Sequence, residues 1–391
     1  MWKRVLLIGI FLLLLASIGN LQYSESFNMP IQVTHYLQFN NSKIHLFTPI
    51  PVKSNVSKIF IPHIIPNLTM QGITYRNIIV YNAIIQDSVD PSVAVIRITP
   101  YQFNISINNS VYYGALNAPM KTEVPFPDIS LEQNYNISFN ALIDDPNQEE
   151  FYDNILNQLR NYRNLHHLND DEYLEFITRF VQSIPNNDQV ETTRFPIETI
   201  FERNGVCEDK SFLLAGLLER EGYDVGLFTF SNLNTTLPGH MVVGVKSTGL
   251  RFNGTQYTLI ETSMTSTLFN HQYHYIGLVD LEGFNPHPIF TKIGNGTKQY
   301  TESDDVSFIN DSMRTCLYHY HIDPNGGISI RIGIDQCPDN IAKALQYIEL
   351  GLLDRESAYI WLSQHNNSQK NPENITIMLN SSDSMPHYKF L

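Results

Sequence analysis

The stretch Gly205-Val206-Cys207-Glu208-Asp209-Lys210-Ser211-Phe212-Leu213-Leu214-Ala215-Gly216-Leu217-Leu218-Glu219-Arg220-Glu221-Gly222 decides the reading of this chain. Phe212, Leu213, Leu214, Leu217 and Leu218 recur at helical spacing, so a helix is expected from Cys207 to Glu221, stopped by Gly222. Cys207 then opens that helix. There the backbone N–H groups lack partners and carry partial positive charge. A thiol in such a place loses its proton more easily, and the thiolate is its reactive form. The same N–H groups suit a developing oxyanion. Gly205 lets the chain turn sharply before the thiol, and Glu208 and Asp209 complement the helix dipole.

A nucleophilic thiol needs a base, and the base needs an acceptor that keeps one ring nitrogen a donor. Downstream, Pro238-Gly239-His240 ends a polar loop and begins the apolar run Met241-Val242-Val243-Gly244-Val245, which places His240 at a strand edge. Glu261 ends a second run, Tyr257-Thr258-Leu259-Ile260. A hairpin centred between Leu250 and Arg251 sets His240 opposite Glu261, with Cβ atoms roughly 5 Å apart. Asn253-Gly254 is a rival turn centre.

Working outward, Tyr152, Ile155, Leu156 and Leu159 have helical spacing, and so do Tyr173, Leu174, Ile177, Phe180 and Val181. Strands are expected at Val225–Phe230, His240–Val245 and Tyr257–Glu261. Earlier, short runs such as Lys43–Phe47, Lys58–Ile61, Asn77–Tyr81 and Val93–Ile98, separated by Pro, Asn and Gly, make 24–145 read as an all-β, sandwich-like domain. Residues 286–391 read as a small appendage with a helix near Ile341 to Leu362. It also holds two strands, Cys316–Asp323 and Ile328–Ile334, around Pro324-Asn325-Gly326-Gly327. With Gly326-Gly327 as the turn, Cys316 faces Cys337 at a non-hydrogen-bonded site and a disulfide is expected. With Asn325-Gly326 as the turn, Cys316 faces Asp335. The chain has 3 cysteines, so pairing these two leaves Cys207 free.

The chain begins Met1-Trp2-Lys3-Arg4 and continues with an apolar run from Val5 to Ile18, so residues 1–22 read as an export signal or an uncleaved N-terminal anchor. The run is short for a membrane span, which needs about 20 residues. The acceptor pattern Asn-x-Ser/Thr occurs at Asn40, Asn55, Asn67, Asn104, Asn108, Asn136, Asn234, Asn253, Asn295, Asn310, Asn366, Asn374 and Asn380. Chance would supply about 5 such sites, and glycans need surface loops, so the gap from Asn136 to Asn234 should hold the compact helical part. An extracellular or cell-surface glycoprotein is the expectation. Net charge is −14 with no basic run, which argues against nucleic acid as partner. Contact with a membrane is expected only through an uncleaved N-terminal segment. Two histidine pairs, His271 with His274 and His319 with His321, lack a third ligand, so no metal is expected and no cofactor is implied.

Three blocks together resemble the transglutaminase-like superfamily, in its prokaryotic form. They are Phe195-Pro196-Ile197-Glu198-Thr199 with the Cys207 helix and Gly222-Tyr223-Asp224-Val225; Pro238-Gly239-His240-Met241; and Leu259-Ile260-Glu261-Thr262-Ser263. The resemblance covers roughly 148–285 and implies an α+β fold with a papain-like core over 146–285. It implies Cys207 as nucleophile, His240 as base and Glu261 as orienting acid. Family members crosslink proteins, cleave peptides or remove amide-linked glycans, so the implied partner is a protein or peptide substrate attacked at an amide. In two places the chain departs from the family. Asp is more usual than Glu at the third position, and many members have Trp where this chain has Val242. The alternative is a non-catalytic, glycosylated surface binding protein that keeps the scaffold.

Overall fold

The computed structural model describes residues 61–86, 93–118, 130–187, 192–233, 238–263, 273–318, 347–348, 351–365 and 374–379. All belong to one unit of the chain, Ile61–Pro125 with Ile129–Leu391. The fold is mixed α and β. In order come β1 (Ile73–Gln86), β2 (Val93–Asn108), α1 (Asn109–Leu116), α2 (Leu131–Ile143), α3 (Glu149–His166), α4 (Asp170–Gln182), α5 (Pro196–Glu202) and α6 (Cys207–Arg220). Then follow β3 (Asp224–Ser231), β4 (Pro238–Lys246), β5 (Tyr257–Ile260), β6 (Ile289–Asn295), α7 (Ser303–Tyr318), α8 (Arg355–His365) and β7 (Asn374–Leu379).

The helix α6 is the centre of the molecule. Every residue from Asp209 to Leu218 is buried, so other elements enclose the helix on all sides. Gly216 is required there, because a Cβ would run into the Tyr152 ring of α3. The helix ends on Gly222 at φ +84°, the left-handed conformation glycine adopts without strain. One face of α6 lies on a four-stranded antiparallel sheet of order β5-β4-β3-β6. Phe228, Phe230, Val242 and Leu259 bury the sheet's other face under Phe252, Phe284 and Phe290. With both faces covered, β3 is apolar almost throughout rather than alternating.

The region expected to be an all-β domain differs in its described part. The long hairpin β1–β2 is present, and β7 joins β2 in parallel. Yet 109–116 and 131–143 are helices, started by the side chains of Asn108 and Ser130. The hairpin has no core of its own: Ile78, Val80, Phe103 and Ile105 share one cluster with Phe180, Leu213 and Leu217. Part of its edge is closed by α3, where Gln158 both accepts from the Asn104 N–H and donates to its carbonyl, both at 3.0 Å. Short apolar runs show strands, but not which partner covers them.

The boundary expected at 285 also moves, because Ile289–Asn295 is the β6 edge of the central sheet. The strand expected to begin at Cys316 is instead the end of α7 as far as Tyr318. The rest of that hairpin, with Cys337, lies outside the described residues, as do the leader 1–22 and His271, His319 and His321. Of the helix expected from Ile341 to Leu362, α8 covers the second part and runs on to His365. Among the described residues no helix is long and apolar enough to cross a membrane. Asn104, Asn108, Asn136, Asn253 and Asn295 are exposed, Asn67 and Asn310 half-buried, and Asn374 lies in β7. Asn40, Asn55, Asn234, Asn366 and Asn380 lie outside the described residues.

Candidate active site

The start of α6 is built by carboxylates that bind backbone. Asp209, fully buried, accepts from the Val206 N–H at 3.1 Å and the Arg194 N–H at 3.0 Å. It thereby caps the helix and ties it to the preceding loop. Burial pushes its carboxyl up to about 6, against these hydrogen bonds and the nearby Arg194 charge. Glu198 performs the same task one helix earlier, accepting from the Phe195 N–H at 2.9 Å. Gly205 does not have the positive φ of a sharp turn. It is needed for space, since a Cβ would lie 3.0 Å from that of Asp209 and 3.2 Å from Thr199 Cγ2.

Cys207 is half-buried and free. Two hydroxyls lock its helix to the sheet. Ser211 Oγ donates to the Met241 carbonyl at 3.2 Å and lies 3.1 Å from Thr262 Oγ1, which reaches the Cys207 carbonyl at 3.3 Å. The next-door strand β4 presents His240, whose ring lies within interaction range of the Cys207 side chain. On its other side, His240 Nε2 lies 2.8 Å from Glu261 Oε2. A carboxylate only accepts, so Nε2 carries the proton and Nδ1 is the nitrogen left for the sulfur. Phe284 stacks on the imidazole with centroids 5.3 Å apart.

The three residues singled out from the sequence therefore meet, though not by the expected register. The strand β4 pairs with β5 as Val243↔Ile260 and Gly244↔Leu259, two residues away from the register that sets His240 opposite Glu261. A shift of two keeps every side chain on its face, whereas a shift of one would have separated the pair. His240 and Glu261 become diagonal neighbours, still within reach of long side chains.

The electrostatics suit an imidazolium. Burial alone would lower the His240 value, but its interactions with Cys207 and Glu261 and their negative charge raise it to about 10. Burial would raise Glu261, with its side chain 2% exposed. The His240 bond and charge, with the Ser263 bonds, outweigh this and hold it below the ordinary carboxylate range. Ser263 donates to Oε1 through its N–H at 2.7 Å and its hydroxyl at 2.6 Å. Each Glu261 oxygen is thus satisfied, as a buried charge requires.

Several supporting residues have no signal in the sequence. Gln182, fully buried at the end of α4, donates to the Glu261 carbonyl at 2.7 Å and the His274 carbonyl at 3.0 Å. Phe284 comes from a loop distant in sequence. Ser263 was visible as part of the acid-strand block, but not its double bond. Among the described residues no group of His, Cys, Asp and Glu is placed to hold a metal ion.

No protein-family model matches this chain, and no curated protein does. Among solved structures it is similar to the crystal structure of a "Putative Cysteine Protease from Cytophaga hutchinsonii", at 15% identity and a TM-score of 0.25. The match covers 61% of this chain and 83% of the other.

Proposed function

We propose that the protein is an exported, glycosylated, transglutaminase-like thiol enzyme that cleaves or transfers acyl groups of protein or peptide amides. The observation that carries this reading is the His240 imidazole, 2.8 Å from Glu261 Oε2 and within interaction range of the half-buried, free Cys207 at the start of α6. In this reading the imidazole is the base that takes the thiol proton and returns it to the leaving group. The Cys207 thiolate adds to the amide carbonyl. Asp209 already takes the Val206 N–H, so the next one, on Cys207 itself, is the donor assigned to the oxyanion in this reading. His240 then gives its proton to the leaving amine, and a thioester on Cys207 remains. Water or another amine attacks the thioester, His240 takes its proton, and the thiol–imidazole pair is restored. Glu261 stabilises the imidazolium throughout without accepting its proton. Exposed sequon asparagines, Asn104, Asn108, Asn136, Asn253 and Asn295, support export.

The test is alkylation by iodoacetamide at pH 7, read on the Cys207 peptide by mass spectrometry. Rapid labelling is expected, with His240→Ala slowing it about a hundredfold. A Cys207 no faster than free cysteine sinks the enzymatic reading and leaves the surface binding protein.

A further inference from the structure

Lys210 occupies a place that is unfavourable for a lysine in three ways. It is fully buried. It lies near the start of α6, where the helix dipole repels a cation. It makes no ion pair among the described residues, and its hydrogen bond from Nζ to Asn186 Oδ1 is long, at 3.4 Å. A methionine would fill the same space without burying a charge, so packing and stability do not account for it.

Its surroundings are those of the thiol. Lys210 follows Cys207 by three residues, which puts both on one face of α6. The charges acting on it are Glu261, from the end of β5, and Cys207. His274 lies close enough to feel Lys210, and its Nε2 is buried without a partner. Asn186, which holds Nζ, pairs its backbone with Gly205, two residues before the thiol.

Resting on the thiol-enzyme reading, we propose that Lys210 is a positioning residue for the nucleophile: its buried ammonium stabilises the Cys207 thiolate through space, so losing its proton weakens the Cys207–His240 ion pair. Burial lowers the Lys210 value to about 7, against the pull of Glu261 and Cys207. The charge is therefore lost as pH rises through neutrality.

The experiment is the pH profile of iodoacetamide alkylation at Cys207 from pH 5.5 to 9, on the full chain. In the wild type the rate is expected to fall about fivefold between pH 6 and 8 as the ammonium is lost. Lys210→Met should remove the step and sit at the lower level throughout. Lys210→Arg, which stays charged, should hold the upper level. A wild-type profile without the step overturns the proposal with no variant needed, and so does a step retained in Lys210→Met. Failure of Cys207 to react at any pH is a different result, which overturns the thiol-enzyme reading itself.

Discussion

The two halves of α6 obey opposite rules. From Phe212 to Leu218 every side chain is apolar or absent and every one is buried, so this half serves packing. From Cys207 to Ser211 the helix is polar and nearly as enclosed: Asp209, Lys210 and Ser211 are all at 0% exposure. Burial of that kind costs stability unless each group is satisfied. Asp209 is satisfied by two backbone N–H groups and Ser211 by a carbonyl and a hydroxyl, whereas Lys210 is left with one long bond. One helix thus carries both a fully buried apolar half and a buried, poorly satisfied charge, the latter three residues from a free thiol.

The sharpest way to break the contrast is to cut each half at its centre. Cys207→Ala should abolish amide cleavage or transfer, by about a thousandfold or more, while leaving the melting temperature nearly unchanged. Leu214→Ala should do the reverse, costing about 2–5 kcal/mol by the cavity it opens, which calorimetry reads directly.

Glu261→Gln comes next. It keeps the shape but removes the charge that holds the His240 proton, so Cys207 alkylation at pH 8 should fall about tenfold. Since the His240 value is raised, the stabilisation it brings is complete below its ordinary 6.5 and is lost as pH rises through about 10. Urea denaturation at pH 6 should therefore show a larger loss for Glu261→Gln than at pH 10.5.

Lys210→Met sharpens the comparison from the stability side. The folded chain disfavours the lysine proton, so the cost is complete below about pH 7 and vanishes above the ordinary 10.5. The variant should be more stable by roughly 1–4 kcal/mol at pH 6 and show no gain near pH 11. A variant destabilised at pH 6 would mean that the ammonium has a structural partner. The smallest effect is expected for Phe284→Ala, which frees the His240 ring from its stack and should slow alkylation about threefold.

How far the sequence could be read depended on the kind of signal. The α6 helix was readable because its leucines repeat at 3.6 residues and its end is a glycine. The strands β3, β4 and β5 were readable as apolar runs. His240 and Glu261 were readable because each ends such a run, and because strand faces survive a register shift of two. The 24–145 region misled for a related reason. Runs such as Asn77–Tyr81 mark β1 correctly, but α1 and α2 carry weaker patterns, and nothing local shows that the hairpin packs against α3 and α4. Cys316 misled because residues 316–323 alternate well enough for a strand, whereas Cys316 to Tyr318 belong to the end of α7.

Taken alone, the amino-acid order picked out the candidate set: a cysteine at a helix start, a histidine and a glutamate at strand ends, in that sequence along the chain. Local periodicity and end signals suffice for that, because they depend on neighbours only a few residues away. Tertiary structure decided what surrounds the set. Gln182 reaches the Glu261 backbone, Phe284 covers the imidazole, and the buried Lys210 meets the Asn186 side chain. These are contacts between residues distant along the chain, and whether a polar side chain is solvated or enclosed is settled only when the layers close over it.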